Sequence, residues 1–465
     1  MSTLKSKSRL PWHMLPTILA LAWPTMLEQL MHTAVQYIDT AMVGSLGTEA
    51  MAAVGSTTTV NWMVGITISA VGVGFLAFIS QAIGKGEEAL AKRAAAQAVL
   101  VSLVIGSIFT VICLSLAPIV PTLMQVDEPI RETAAQYFFI LYTPILARAV
   151  TIIFGTVLRA AGDTKTPMRV AILVNLVNVV LNFFLIYETR TVNLFGVDTW
   201  IFGAGLGVIG AAIASAIAFV VGAVLIVIAL YKHPRLSPRG ESMKPDGEIL
   251  RSCFKVAAPN ALQGFATSLG YVVFAAMVNS LGDSSTAAHT IANTVESLFY
   301  IPAYGMQTAA ATLAGNAYGA KDPKTLRDLS VMALLLEVFM MVASGAALFF
   351  SARLMVGLFS TDEAVISLAV TVLCMVAVSE PFYGFSIIVE GMMQGMGRTV
   401  LPFITNVIGM WAVRIVGTFI ATNFFSGTLV SAWGFMICHN LMLFVVYLTL
   451  FITGLWNPMR KQREK

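Results

Sequence analysis

Blocks of apolar residues, each long enough to cross a membrane, alternate along the chain with short polar joints. A helix needs about 20 predominantly apolar residues to span the hydrocarbon core of a bilayer. The pattern therefore predicts an all-α integral membrane protein with twelve transmembrane helices. The predicted spans are 15–42, 51–81, 93–117, 132–158, 168–188, 203–231, 252–279, 287–315, 328–350, 365–393, 402–424 and 428–456.

Composition agrees with this pattern and excludes a soluble enzyme. Of the 465 residues 57% are hydrophobic and 11% are charged, whereas soluble domains have about 45–50% apolar and about 25% charged residues. The sequence contains no HExxH or GxSxG motif, so no enzyme is predicted and no cofactor is expected. The cysteines have no Cys-x-x-Cys spacing and indicate neither a disulfide framework nor a metal site: Cys113, Cys253, Cys374 and Cys438.

The positions of the positive charges predict the topology. Most of the 28 lysine and arginine residues fall near the two ends of the chain and in the alternate loops on the same side. Because cytoplasmic loops are enriched in Lys and Arg, we expect a cell-membrane protein with both termini in the cytoplasm. The stretch MSTLKSKSR (1–9) is predicted to be a cytoplasmic tail, since it has no apolar core before a cleavage site. Basic loops are usual in such proteins, and no nucleic-acid partner is expected.

The two halves of the chain are internal repeats. A fixed offset aligns AMVGSLG (41–47) with AMVNSLG (276–282), and the same offset aligns GDTKTP (162–167) with GRTVLP (397–402). Repeats with an even number of spans have the same orientation, and a site at their interface can open to either side by rocking. A duplication without transport is the alternative. The predicted domains are an N-lobe at 1–231, a cytoplasmic linker at 232–251 and a C-lobe at 252–465, which gives two pseudosymmetric six-helix lobes.

Polar residues inside the predicted spans of the first half are candidate functional residues. An ionisable group at the centre of a bilayer costs at least about 2.5–3.5 kcal/mol. Span one carries Glu28, His32, Gln36 and Asp39 at a spacing that places them on one helix face. Together with amides of span five and a hydroxyl of span six, Asp39 could hold a proton or help to bind Na⁺. Asparagine stripes also join helices by hydrogen bonds, and this role stays open. The candidate ion-coupling residues are Asp39, Asn175, Asn178, Asn182 and Ser215.

The second half carries different polar residues. In the repeat alignment Phe274 takes the place of Asp39, and the positions of two asparagines are taken by Val413 and Gly417. Carboxylates beside aromatic rings suit organic cations through charge and cation–π attraction. The candidate substrate-binding residues are Glu296, Glu390, Tyr300, Asn293, Gln307, Thr267 and Gln36.

Two prolines, Pro24 and Pro259, lie at equivalent positions in spans one and seven. A proline removes a backbone N–H and permits a kink. Paired broken helices in two repeats are typical of a transport site. We therefore predict a hinge at each proline, with a static kink as the alternative.

Some charged residues of the spans receive no role from the sequence. A buried ion pair with Arg414 is the alternative to ligand or proton binding by Glu296. The residues without an assigned role are Glu28, His32, Glu380, Arg148 and Arg414.

The motifs of the chain resemble those of the multidrug and toxic compound extrusion (MATE) transporters. DTAMVGSLGTEAMAAVG (39–55) looks like the family's Asp-x-x-x-Val-Gly-x-Leu-Gly signature. The resemblance implies a twelve-helix antiporter that exports amphipathic, often cationic compounds in exchange for H⁺ or Na⁺. Its expected partners are small organic substrates and the lipid bilayer, and a monomer is expected. Further matching segments are QAIGKG (81–86), RAAGDTKTP (159–167), NAYGAK (316–321) and QGMGRTVLP (394–402).

The resemblance also implies roles for single residues. Asp39 matches the acidic residue of span one used for cation coupling, and Asn178, Asn182 and Ser215 match the rest of the N-lobe ion site. Asn182 stands where archaeal members of the DinF-like branch have Asp. The single remaining carboxylate favours H⁺ over Na⁺ as the coupling ion. If Na⁺ were the coupling ion, it would bind at Asp39, Asn178 and Asn182.

Two further comparisons separate this chain from related classes. The NorM-like branch has C-lobe acids where this chain has Thr267 and Tyr383, so the chain resembles the DinF-like branch. A flippase for lipid-linked precursors is the alternative function. Such a flippase should line its cavity with Arg and Lys to bind pyrophosphate, and only Arg148 and Arg414 lie inside the predicted spans.

Overall fold

The computed structural model describes residues 10–124, 126–194 and 197–462. Within these ranges the chain is nearly all-helical, which confirms the predicted fold class; the predicted tail at 1–9 lies outside them. The helices are α1 (Leu15–Gly44), α2 (Thr48–Gly84), α3 (Glu88–Leu116), α4 (Val120–Leu123), α5 (Glu128–Tyr142), α6 (Ile145–Ala160), α7 (Lys165–Leu185), α8 (Gly207–Lys232), α9 (Gly247–Asn279), α10 (Asp283–Gly319), α11 (Pro323–Gly357), α12 (Glu363–Gly395), α13 (Val400–Ile408), α14 (Val416–Phe424) and α15 (Leu429–Thr453), with 3₁₀ turns at Trp12–Met14 and Pro458–Gln462 and a π-helical segment at Gly409–Ile415.

The long helices match the predicted spans. By length and composition, 9 helices of the described chain could cross a membrane, or 10 when the bent pair of α5 and α6 is taken as one span. The two other long helices, α1 and α10, contain the polar stripes of Asp39 and Glu296. With these two, each of the twelve predicted spans corresponds to one helix or to one group of consecutive helices.

Three predicted spans differ from the structure in detail. Span four is not one helix, because α5 and α6 meet at 45° next to Pro144, whose ring cannot continue a regular helix. Span six begins at Gly207 and not at 203, because the preceding residues form a strand. Span eleven contains the π-helical segment between α13 and α14, a feature that often marks functional sites.

A β-hairpin, absent from the predicted elements, joins α7 to α8. Strand β1 (Glu188–Leu194) pairs antiparallel with β2 (Val197–Ala204), and Glu188 lies opposite Ala204 at the open end. The guanidinium group of Arg190 stacks over the ring of Tyr187, with 4.2 Å between its carbon and the ring centroid. Two short runs rich in Thr and Val were the available signal for these strands.

The helices group into two compact units. Unit 1 comprises the chain up to Met26, Ser80–Glu87 and the chain from Ala266 onward, and unit 2 comprises Leu27–Ile79 and Glu88–Phe265. Helices α1 and α9 are each divided between the units, a few residues after Pro24 and Pro259. The lobe boundaries given above follow the sequence repeat and not the packing, and they stay a prediction.

Small residues bring helix backbones together inside each unit. In unit 1 a Cβ atom on Gly395 of α12 would overlap the backbone of Ala311 on α10. In unit 2 a Cβ atom on Gly210 would overlap the carbonyl group of Leu185, where α8 meets the end of α7. Close backbone approach of this kind is common between membrane helices. It fixes α7 against α8, the two helices that carry the asparagines and the serine of the candidate ion site.

Candidate functional site

The structure brings together four of the five candidate ion-coupling residues in unit 2. Asp39 lies on α1, Asn178 and Asn182 on α7, and Ser215 on α8. The amide nitrogen of Asn182 donates a hydrogen bond of 2.6 Å to Oδ1 of Asp39. Asn182 is completely buried and Asn178 is nearly so. One carboxyl group is therefore held in a buried set of neutral polar side chains.

Asn178 lies between Asp39 and Ser215. One terminal atom of its amide is 2.8 Å from Oδ1 and 3.3 Å from Oδ2 of Asp39, and the other is 3.1 Å from Oγ of Ser215. When Asp39 is ionised, the amide nitrogen faces the carboxylate as a donor and the amide oxygen accepts from the serine hydroxyl. The three side chains thus form a continuous polar chain from α1 through α7 to α8.

The remaining candidates of unit 2 are less tightly bound to this cluster. Asn175 lies one turn before Asn178 on α7, and among the described residues its buried amide nitrogen has no hydrogen-bond partner. Gln36 lies one turn before Asp39 on α1 and is exposed. Oδ1 of Asn182 is likewise buried without a partner in the part of the chain that the structure describes. Within the described chain, the helix that contacts Asp39 therefore carries two buried polar atoms without a hydrogen-bond partner, the amide nitrogen of Asn175 and Oδ1 of Asn182.

Glu28, to which the sequence assigned no role, forms an ion pair with Arg159. Nη1 of Arg159 on α6 lies 2.8 Å and 3.0 Å from the two carboxylate oxygens of Glu28 on α1. Nη2 of the same arginine donates to Oγ1 of Thr156 at 3.0 Å. Arg159, the first residue of RAAGDTKTP (159–167), was not among the predicted site residues, because nothing in the sequence links α6 to α1.

Arg148 of α6 is bound inside unit 2. Its guanidinium group donates to the side-chain oxygen of Asn61 on α2 and lies over the ring of Phe219, 5.6 Å from the centroid. Among the described residues Arg148 forms no ion pair. Its cation is stabilised by an amide dipole and a ring.

In unit 1 Arg414 and Glu296 are both buried but form no ion pair within the described chain, so the salt bridge that was the alternative role for Glu296 is not found there. Arg414 lies at the end of the π-helical segment and stacks on the rings of Phe274 and Tyr271, at 4.2 Å and 4.9 Å from their centroids. It also donates to Sδ of Met436 at 3.0 Å. A cation held by aromatic faces occupies the position that the repeat relates to the carboxylate site of unit 2.

Glu390 is part of a separate hydrogen-bond network in unit 1. One carboxylate oxygen accepts from the amide of Gln394 and the other from the amide of Asn406, both at 3.0 Å. Asn406 also donates to the hydroxyl group of Tyr447 at 3.3 Å. Gln307 packs nearby, since a Cβ atom on Gly391 would overlap its side chain. Both oxygens of Glu390 are therefore engaged by the protein.

Tyrosine rings form a cluster next to these acids. The hydroxyl groups of Tyr304 and Tyr383 are 2.9 Å apart, and the ring of Tyr300 lies edge-to-face against both, with centroids 6.1 Å and 6.2 Å away. Tyr304 was not among the predicted residues, although it follows Tyr300 at helical spacing. Glu337 of α11 is fully buried, and neither of its carboxylate oxygens has a hydrogen-bond partner in the described ranges.

The last candidates are placed without a ligand-like arrangement. Asn293 on α10 is exposed, and Thr267 on α9 is half-buried. Pro24 and Pro259 both lie inside continuous helices. Thr25, next to Pro24, donates to the carbonyl oxygens of Ala22 and Gly305, each at 2.8 Å. No group of three or more His, Cys, Asp or Glu side chains that could hold a metal ion occurs among the described residues.

Nearly all-helical architecture, long apolar helices and buried polar clusters define a multi-pass membrane transporter. The family model MatE matches residues 24–184 and 259–420, which together make up more than half of the chain. The chain therefore belongs to the MATE family, whose members are transporters and not enzymes. The two matched segments coincide with the two sequence repeats and begin at Pro24 and Pro259.

Similar proteins cover almost the full length of the chain. A "Probable multidrug resistance protein NorM" of Thermotoga maritima is 26% identical over 459 residues, which cover 97% of this chain and 96% of the relative. A "Probable multidrug resistance protein YoeA" of Bacillus subtilis is 23% identical, with 91% of this chain and 90% of the relative covered.

Solved structures show the same fold. One is described as the outward-facing conformation of a multidrug resistance MATE family transporter of the MOP superfamily, with a TM-score of 0.87, 23% identity and 96% of both chains covered. A MOP superfamily transporter from Pyrococcus furiosus gives a TM-score of 0.85 at 22% identity, with 95% of both chains covered. Structural neighbours of this family have twelve helices in two lobes, as predicted.

Proposed function

We propose that this protein is a secondary active antiporter that exports amphipathic, cationic organic compounds in exchange for H⁺, and that Asp39 carries the proton. The observation behind the proposal is the cluster of Asp39 with two buried asparagine amides and a serine hydroxyl. The names of the relatives, which describe multidrug resistance proteins, support the substrate class.

The amide of Asn178 can serve both protonation states of Asp39. With Asp39 ionised, the amide nitrogen donates to the carboxylate and the amide oxygen accepts from Ser215. With Asp39 protonated, a half-turn of the amide lets its oxygen accept from the carboxyl O–H while its nitrogen donates to Ser215. In the second orientation the oxygen of Asn178 also accepts from the amide of Asn182 at 3.2 Å, and in the first the amide of Asn182 still donates to Asp39. The carboxyl group of Asp39 therefore has hydrogen-bond partners in both protonation states, so that proton binding and release do not leave it unsatisfied.

Na⁺ is the alternative coupling ion. It prefers oxygen ligands, and here Asp39 would supply the charge, with side-chain oxygens of Asn178 and Asn182 as neutral ligands. A single carboxylate gives less electrostatic compensation than two, which favours H⁺. Thr267 and Tyr383, which stand in unit 1 where the NorM-like branch has acids, support assignment to the DinF-like branch, although Asn182 departs from the Asp of its archaeal members.

Substrate contacts are proposed in unit 1 around Glu296 and the tyrosine cluster. A carboxylate near the rings of Tyr300, Tyr304 and Tyr383 suits an organic cation. The other proposed contacts are Asn293, Gln307, Thr267, Glu390 and Gln36.

Movement during transport is proposed to occur at Pro24 and Pro259, both close to the positions at which α1 and α9 pass from one unit to the other. Both termini are proposed to lie in the cytoplasm, and the protein is proposed to act as a monomer.

A lipid flippase is the second candidate function. It would need free cations to bind a pyrophosphate group. Arg148 is engaged by Asn61 and a phenyl ring, and Arg414 is engaged by Met436 and two rings. This occupancy favours export of organic cations.

The test is efflux of a fluorescent organic cation from proteoliposomes with a pH gradient or a Na⁺ gradient imposed separately. We expect the pH gradient to drive efflux by the wild type and Asp39→Asn to reduce the initial rate at least tenfold. Asp283→Asn, which removes an exposed carboxylate at the start of α10, is the matched control and should transport normally.

Each other outcome points to a named alternative. Full pH-driven efflux by Asp39→Asn would refute coupling at Asp39. Efflux driven only by the Na⁺ gradient would show that the coupling ion is Na⁺ and not H⁺. Flipping of a labelled polyprenyl lipid, with no efflux of the organic cation under either gradient, would support the flippase.

A further inference from the structure

An apolar groove of about 370 Å³ lies on the outer surface of unit 2, between helices α2, α3 and α9. Its walls are aliphatic and aromatic side chains, and the only charged residue in its lining is Arg251. The lining residues that matter here are Phe75, Val101, Ile105, Phe254, Ala257 and Arg251. The groove has the volume of a small-ligand site and lies outside the Asp39 cluster.

Specific contacts hold the groove open. A Cβ atom on Gly74 of α2 would lie only 2.5 Å from the carbonyl oxygen of Cys253, so α2 and α9 touch backbone to backbone there. On the other side, Arg93 of α3 binds the carboxylate of Asp246, the residue before α9. Gln97 of α3 donates to the carbonyl oxygen of Lys244 at 2.9 Å and accepts from the backbone N–H of Asp246 at 3.0 Å. The three helices are thus fixed around the groove at the linker end of α9.

The groove lies at the depth of lipid headgroups and upper acyl chains. Helix α9 has 33 residues, and a rise of 1.5 Å per residue makes it about 50 Å long, whereas the hydrocarbon core is about 30 Å thick. The first turns of α9 therefore extend into the headgroup layer on the linker side. Phe254, within these turns, is 70% exposed, and a phenyl ring at this depth is more stable in contact with lipid than with water.

Two cations stand one helical turn apart at the start of α9: Arg251 lines the groove, and Lys255 follows it on the same helix. Arg251 and Lys255 are both exposed, and among the described residues neither forms an ion pair, whereas the nearby Arg93 is neutralised by Asp246. The spacing of four residues places both side chains on the same helix face. Phosphate groups are the natural partners of an arginine and a lysine presented together.

We propose that the groove binds one anionic phospholipid, with an acyl chain along Phe75, Ile105 and Ala257 and the phosphate group on Arg251 and Lys255. The apolar lining of the groove suits a hydrocarbon chain, and the two cations, which have no ion-pair partner in the described part of the chain, favour a negatively charged headgroup over a zwitterionic one. The bound lipid fills the gap between α3 and α9. The site is independent of the coupling ion and of the transported compound.

The test is native mass spectrometry of the purified full-length protein, delipidated and then titrated with phosphatidylglycerol or phosphatidylcholine of the same chain length. We expect the wild type to retain phosphatidylglycerol at least fivefold better than phosphatidylcholine. The double variant Arg251→Gln/Lys255→Gln should lose this preference. Ala257→Trp, which fills the groove, should reduce retention of both lipids.

Arg239→Gln is the matched control, because Arg239 is an exposed cation of the same linker that does not line the groove. It should bind lipid as the wild type does. Equal retention of the two lipids by the wild type, or an equal loss of preference in Arg239→Gln, would overturn the proposal.

A phosphatidylglycerol with a photoreactive acyl chain supplies a readout that does not depend on any variant. Cross-links should map to peptides of α2, α3 and the first turns of α9. Cross-links confined to other helices would refute the site.

Discussion

The span that carries Asn178 and Asn182 in unit 2 and its repeat counterpart in unit 1 have different backbones. Helix α7 is regular over Lys165–Leu185, whereas the counterpart is α13, a π-helical segment and α14. The regular helix presents two amides to Asp39. The interrupted helix presents Arg414, at the end of the π-helical segment, to two aromatic rings. One repeat thus carries a titratable centre at this span and the other a permanently charged one.

The residue opposite each of these helices differs in the same way. Asp39 is half-buried and hydrogen-bonded, while its counterpart Phe274 is 1% exposed and belongs to a large core cluster of unit 1. Gly417, the counterpart of Asn182, has no room for a side chain because a Cβ atom there would overlap the ring of Phe435. Packing therefore excludes a second copy of the polar cluster from unit 1. Experiments on stability should separate the two regions.

Phe274→Ala should have the largest effect on stability. Removing a fully buried phenyl ring leaves a cavity and should lower the free energy of unfolding by about 3–5 kcal/mol, while pH-driven efflux per folded molecule persists. Thermal and denaturant unfolding of the detergent-solubilised protein measures the first quantity, and efflux from proteoliposomes measures the second. An unchanged stability would show that Phe274 is not part of the core that holds Arg414.

Asn182→Ala should affect both stability and transport. The carboxyl group of Asp39 loses a donor in a buried place, which costs about 1–3 kcal/mol, and the pH-driven rate should fall because the proton site is altered. The matched control is Asn423→Ala, an exposed amide on α14, which should change stability by less than about 0.5 kcal/mol. Equal effects of the two substitutions would contradict a special role for the cluster.

Arg414→Met should cost less than removal of its ring partner. The cation–π attraction contributes about 0.5–2 kcal/mol, but the substitution also removes a charge from an apolar interior, which offsets part of that loss. We expect a decrease below about 2 kcal/mol, measured by the same unfolding experiment. A loss as large as that of Phe274→Ala would mean that the charge of Arg414 organises unit 1.

A smaller contrast between the repeats lies at the helix caps. Asp322 caps α11 by accepting from the backbone N–H groups of Lys324 and Thr325, both at 3.0 Å. Its repeat counterpart, Glu87, precedes α3 and makes no such bond among the described residues. Asp322→Ala should cost about 0.5–2 kcal/mol, and Glu87→Ala should be nearly neutral. Similar values for both would remove the contrast.

The cap should also depend on pH. Hydrogen bonds from the hydroxyl and backbone N–H groups of Thr325 hold the pKa of Asp322 below its ordinary value. The carboxylate therefore stabilises the folded state at neutral pH, and this contribution is lost as the pH falls through the lowered pKa. The stability difference between the wild type and Asp322→Ala should shrink on acidification from pH 7 towards about pH 3, a range set by the ordinary Asp pKa of about 3.9.

Sequence reasoning located the helices because apolar block length is a local property. It also grouped Asp39 with Asn178, Asn182 and Ser215, because helical spacing places the two asparagines on one face of α7 and the family resemblance places all four in one ion site. The polar stripe from Glu28 to Asp39 on α1 could be predicted because helical spacing is also a local property of the sequence.

Contacts decided by packing between distant segments were not predictable. The pairing of Glu28 with Arg159 depends on how α1 and α6 meet, and the network of Glu390 with Asn406 depends on how α12 meets α13. The π-helical segment contains no Pro, and its one glycine, Gly409, did not distinguish it from the many other glycines inside the predicted spans. The salt bridge considered for Glu296 and Arg414 failed because aromatic rings surround the arginine.

The β-hairpin between α7 and α8 has a consequence for how deep the protein sits in its membrane. Its second strand exposes Trp200 and Phe202, which are 68% and 57% accessible, and indole rings partition into the interfacial layer of a bilayer. The corresponding connection in the second repeat is only the short turn between α14 and α15. We therefore expect the exposed rings of the hairpin to anchor the adjoining end of α7 in the interfacial layer, and so to fix the depth in the bilayer of the helix that carries Asn182.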